Sequence, residues 1–121
     1  MQSKSTPLSK PVVTYPALVG KLLAQRREQI GLKQGETAVA LGMSQSAYSR
    51  LESGESVLNL SQLRNICAEL GTSPAQVLHD ADQYESLLRR QGVDVIAEKS
   101  VNPAAIAIGL GLLAALFLSG K

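Results

Sequence analysis

The sequence predicts an all-α fold: five short helices, a flexible N-terminal arm before them and an apolar C-terminal helix after them. Three observations predict it. From Ala17 to Leu88 apolar residues recur at three- and four-residue spacing, and each repeat is bracketed by a capping side chain or a glycine. No run before Gly92 alternates as a half-buried strand would. At 121 residues the chain has room for one domain plus appendages. With no Trp and one Phe, its core must be built mainly of Leu, Val and Ala.

Residues 1–16 hold Pro7, Pro11 and Pro16 among Ser, Thr and Lys, and read as the arm. They contain no apolar run and so no signal peptide. An idle tail is the simpler reading of Lys4 and Lys10, which would otherwise follow a nucleic-acid groove. Leu18, Val19, Leu22, Leu23 and Ile30 mark the first helix, closed by Gly31. A second runs from Gln34 to Leu41 and stops at Gly42. Ser44 caps a third, Gln45 to Ser53, which Gly54 ends. Asn59 and Gln62 form a capping pair for a fourth, reaching Leu70. Ser73-Pro74-Ala75-Gln76 combines a cap, a proline in the first turn and a glutamine, the clearest helix start in the chain.

The fifth helix outruns the compact part of this pattern. Val77, Leu78, Ala81, Tyr84, Leu87 and Leu88 make an apolar stripe up to Arg89-Arg90, which needs a partner in its own domain or a second subunit. Val93-Asp94-Val95 alternates and suits one short strand. Pro103 to Leu118 then gives sixteen residues without a charge. As a helix this run spans about 24 Å, short of a hydrocarbon core of about 30 Å. Ala107, Gly111, Ala115 and Ser119 recur every four residues, a small-residue face that permits close helix approach in a bilayer. Membrane anchoring through 103–119 and burial in an oligomer are both open on these residues. Lys99 is the only nearby cytosolic cation, so the positive-inside signal is thin.

Charge is uneven. Residues 1–54 carry seven Lys/Arg and three Asp/Glu, a balance of +4; residues 55–100 carry four and seven, a balance of −3. A basic first half can face a polyanion, although the margin is modest. The single cysteine, Cys67, excludes an internal disulfide and fits a reduced, cytoplasmic compartment. It falls at helical spacing with Leu63, Ile66 and Leu70, which makes it a core residue. The single histidine, His79, has only Asp80 and Asp82 nearby, and no metal or catalytic constellation forms around it. The composition points away from an enzyme and implies no cofactor.

The functional signal lies in residues 32–54, LKQGETAVALGMSQSAYSRLESG. Ala38 is small where two helices must approach, and Gly42 suits a turn that needs a positive φ. Leu41, Met43, Tyr48 and Leu51 are spaced to close a core beneath both helices, and Ser44 leaves the start of the third helix free. This stretch, with RREQIGLKQ leading into it, resembles the Cro/lambda-repressor (XRE-type) helix-turn-helix family. The resemblance covers roughly half the chain, and it implies a five-helix lambda-repressor-like DNA-binding domain over 17–79. Residues 80–100 would then be a helical extension and linker, and 101–121 the apolar segment.

The resemblance also implies roles. Gln34 should contact a phosphate and brace Gln45. Gln45 and Ser46 open the recognition helix, where a glutamine can bond adenine N6 and N7 together. Ser49 and Arg50 follow one turn on, and Arg50 suits guanine or a phosphate. Ser44 and Asn59, the caps, complete the expected DNA-binding set. Arg27 and Glu52 should pair to tie the first helix to the third. The chain departs from the family at three points. Gly35 sits inside the second helix at a cost of about 1 kcal/mol. Position 48 is Tyr, and the loop from Glu55 to Leu58 lacks a backbone-gripping Lys or Arg. The implied partner is double-stranded DNA with a two-fold-related site, bound by a homodimer or higher oligomer acting in transcriptional regulation. Two alternatives stay open. One is a membrane-tethered adaptor that binds a protein, as in bacterial cell-shape proteins joining such a domain to a transmembrane segment. The other is an antitoxin-like repressor.

Overall fold

The computed structural model describes residues 10–97 and 103–119. A strand, β1 (Val12–Thr14), leads into α1 (Tyr15–Gln29), α2 (Gln34–Ala40), α3 (Gln45–Ser53), α4 (Leu60–Glu69) and α5 (Pro74–Arg90). A second strand, β2 (Asp94–Ile96), and α6 (Pro103–Ser119) complete the described residues. The five helices before Gly92 and the apolar sixth thus match the all-α expectation, with a small sheet added.

That sheet corrects the reading of the N-terminal arm. Its last residues are not irregular: Val12–Thr14 pair in parallel with β2, in the register Val12 with Asp94, Val13 with Val95 and Thr14 with Ile96. A strand therefore does precede Gly92. Three residues are too few for a period of two to show, and the partner lies about eighty positions away. Lys10 adds an ion pair to Asp94 at 3.2 Å, and Arg89 donates to the Val95 carbonyl at 2.9 Å. The same residues start α1. Thr14 is extended and its Oγ1 accepts from the Ala17 amide at 3.1 Å, with Pro16 in the first turn, where its missing donor costs nothing. This repeats the Ser73-Pro74 start of α5, whose Ser73 Oγ accepts from Gln76 at 3.1 Å. Residues 1–9 of the expected arm, residues 98–102 and residues 120–121 lie outside the described residues.

The core is one apolar cluster. Leu18 and Leu23 of α1 meet Tyr48 and Leu51 of α3, Ile66 and Cys67 of α4, and Ala81 and Leu88 of α5, all buried. The apolar stripe of α5 finds its partner within the chain, since α5 packs on α1 and on β2. Cys67 is fully buried, which pushes its thiol pKa up and keeps it protonated. The core also runs past residues 17–79: Val13 before them and Leu88, Val93, Leu113 and Phe117 after them belong to the same cluster.

The C-terminal helix shows how. No helix among the described residues is long and apolar enough to cross a membrane, and α6 instead lies against β1. Ala105, Gly109, Leu113 and Phe117 are its buried residues, at four-residue spacing. Phe117 stacks on Tyr84 of α5 with ring centroids 4.5 Å apart. The small-residue face expected to pack is the other one, and Ala107, Gly111 and Ala115 are exposed.

Candidate nucleic-acid interface

Two backbone approaches fix α3 on α1. At Gly20, in the middle of α1, a Cβ would fall 2.4 Å from the carbonyl oxygen of Glu52, so only glycine lets these helices come so close. Gly54 ends α3 with φ of 82° and lies against Ala17, where a Cβ would come within 2.6 Å of Cα. Gly42 turns α2 into α3 at φ of 70°. Sequence reasoning missed Gly20, because a glycine inside a helical repeat does not say which neighbour it admits.

Beneath the turn lies a charged knot. Arg27 of α1 is buried and donates from Nε to Glu52 Oε2 at 2.7 Å and from Nη2 to Oε1 at 3.1 Å, a two-pronged pair. Its Nη1 reaches the Leu32 carbonyl at 2.7 Å. The Glu52 hydrogen bonds raise the Arg27 pKa, outweighing the burial that would lower it. Gln34 enters here as well. Its Nε2 donates to Glu52 Oε1 at 2.8 Å, so its amide braces the carboxylate and not Gln45. Tyr48 is fully buried beside the pair. Burial, then the Glu52 carboxylate, raises its phenol pKa, and its hydroxyl has no hydrogen-bond partner among the described residues. One carboxylate thus holds α1, the start of α2 and the end of α3 together.

Above this knot, α3 turns a polar face outward. Ser44 is extended and its Oγ accepts from the Ala47 amide at 3.1 Å, with Ser46 Oγ 3.4 Å away. Gln45, Ser46 and Arg50 are exposed and Ser49 is half-buried, while Tyr48, Leu51 and Glu52 point inward. Asn59 stands apart, past the α3–α4 loop. Its Oδ1 accepts from Gln62 at 2.7 Å and its amide donates to Gln62 Oε1 at 3.0 Å, so its backbone and its acceptor oxygen serve the start of α4. The structure therefore gathers Gln45, Ser46, Ser49 and Arg50 on one exposed face, with Ser44 at its start and Gln34 turned beneath it. Among the described residues no group of His, Cys, Asp and Glu is arranged to hold a metal ion. His79 is exposed on α5.

Comparison with known proteins agrees with this geometry. A family described as a helix-turn-helix domain matches residues 18–79, slightly more than half of the chain. Two crystal structures of the clp gene regulator ClgR from Corynebacterium glutamicum are similar. One is 29% identical, covers 72% of this chain and 86% of that chain, and superposes with a TM-score of 0.61. The other is also 29% identical, covers 65% and 95%, and has a TM-score of 0.56. A structure of hydroxypropylphosphonic acid epoxidase from S. wedmorenis is 33% identical over 51% of this chain and 33% of that one, with a TM-score of 0.48. Comparison with curated proteins gives no match. With its two short helices joined at Gly42, its buried Arg27–Glu52 pair and this match from Leu18 to His79, the chain belongs to the helix-turn-helix family, of the Cro/lambda-repressor type.

Proposed function

We propose that this protein is a sequence-specific DNA-binding transcriptional regulator that acts as a homodimer on a two-fold-related site. The observation that carries the reading is the face of α3: exposed, polar and held on a scaffold whose buried side is locked by the Glu52 knot. A helix presented in this way fits the major groove with its N-terminal residues toward the base edges. Gln45 and Ser46 then meet the first bases, Ser49 and Arg50 the next, and Ser44 and Asn59 supply hydrogen bonds to the backbone, while the Gln34 amide stays on Glu52 beneath them. The exposed loop residues Glu55 and Val57 offer the phosphates no cation. A single domain therefore grips weakly and with a shallow salt dependence, which is why two copies are needed. The ClgR structures are of a gene regulator, and the shared fold supports the same class of action here.

The test is a binding titration on DNA from the protein's own promoter region, with Gln45→Ala and Arg50→Ala beside the parent. Each substitution should cost about 1–3 kcal/mol on the best site and relax sequence preference there. If both variants keep the parent's affinity and preference, the assignment of α3 as the reading helix is lost.

A further inference from the structure

Gly35 is a poor choice for α2 by local rules, since glycine weakens a helix relative to alanine. Its backbone does not require it. Among the described residues the glycines with positive φ are Gly31, Gly42, Gly54, Gly71 and Gly92, and Gly35 is not one of them. The reason lies across the turn. A Cβ built on Gly35 would stand 3.3 Å from Oε1 of Gln45 and 3.8 Å from its Cδ, with nothing else within 4 Å beyond its own stretch of helix. The Gln45 amide thus rests on the bare backbone at the start of α2. Nothing else holds it there: the Gln45 side chain is exposed, makes no hydrogen bond among the described residues, and has lost Gln34 to Glu52.

We propose that Gly35 is a positioning residue for base recognition, its missing side chain leaving the seat from which the Gln45 amide meets a base pair. This rests on the reading of α3 as the recognition helix. A bidentate contact to adenine needs both atoms of the amide presented together and in plane. A long, unbranched side chain on an open helix would otherwise spread over several rotamers before binding. The flat backbone at Gly35 narrows that spread. A methyl group there forces the amide to give by a few tenths of an ångström, and a larger side chain occupies its seat.

The experiment measures Gly35→Ala, Gly35→Leu, Gln45→Ala and the double variant Gly35→Leu/Gln45→Ala. Each is titrated against the best operator and against operators substituted singly at every base pair, and the melting temperature of each is recorded. Gln45→Ala should lose between about fivefold and about 150-fold of discrimination at one base pair of each half-site. Gly35→Leu should lose discrimination at that same base pair, Gly35→Ala a smaller part of it, and the double variant no more than Gln45→Ala alone. Gly35→Ala should melt no lower than the parent, because alanine suits α2 better. Full discrimination in both Gly35 variants, with the Gln45→Ala loss present, overturns the proposal and leaves the reading of α3 standing. Equal weakening on every sequence together with a lower melting temperature makes Gly35 merely structural and also overturns it. No loss in Gln45→Ala removes the underlying reading itself.

Discussion

Helices α3 and α6 solve the same problem, burying one face, by opposite means. Helix α3 has nine residues and sharp contrast: Tyr48, Leu51 and Glu52 go in, while Gln45, Ser46 and Arg50 stay out. Helix α6 has seventeen residues and almost none, since every side chain from Ala104 to Leu118 is apolar or absent. What selects its inner face is shape. Gly109 lets the helix lie on β1 so closely that a Cβ would fall 1.9 Å from the Val12 carbonyl oxygen. Contrast along a helix states its orientation from within; a uniform helix takes its orientation from whatever surface is offered. The two regions therefore differ in what a mutation can break.

The largest effect should follow from removing α6. A chain ending at residue 102 loses the burial of Leu113 and Phe117, each 4% exposed or less. At about 1.5–3 kcal/mol for each large apolar side chain buried, and with β1 and Tyr84 uncovered as well, the loss should be on the order of 5 kcal/mol. Thermal unfolding and binding of a hydrophobic dye should both report it. An unchanged melting temperature would show that α6 is an appendage and that the comparison with α3 is empty.

Next in size is Glu52→Ala. It takes the buried carboxylate from Arg27, leaving it the Leu32 carbonyl and the exposed Glu28 at 3.7 Å, and frees Gln34, which should cost about 3 kcal/mol. Loss of DNA binding should track the fraction unfolded. A variant of parental stability that binds DNA less well would move Glu52 from the scaffold to the interface.

These two cases also separate what the sequence could and could not tell. Caps and glycines made α2 through α5 legible to within a residue or two, because Ser44, Asn59 and Ser73 act on amides three positions away. The exposed face of α3 was legible for the same reason. The partner of Gln34 was not, since Gln45 and Glu52, at opposite ends of α3, could each accept its amide and only the packing decides. The strand β1 was hidden by its length and by the distance to its partner, although Thr14 and Pro16, at the end of the expected arm, carry a helix-start signal of their own. On α6 the stripe of small residues at 107, 111 and 115 suggested a packing face, while the same spacing one turn-phase away, at 105, 109, 113 and 117, did the packing.

The smallest effects give the sharpest test of that last point, because they have opposite signs two residues apart. Gly109 and Gly111 sit in the same helix, and neither has a positive φ. By helix propensity alone, alanine should stabilise both. At Gly109 the added methyl would meet the backbone of Val12, where neither atom can swing aside, so α6 must lift from β1. Overpacking of that kind costs about 1–3 kcal/mol, more than the propensity gain. At Gly111 nothing lies within 4 Å of a Cβ, and the substitution should stabilise by about 0.5–1 kcal/mol. Denaturant midpoints for Gly109→Ala and Gly111→Ala, measured at a common slope, should therefore move in opposite directions. If both rise, α6 does not rest on β1 through Gly109. If Gly111→Ala falls instead, the small-residue face is packed after all, and the orientation of α6 is set by a surface other than β1.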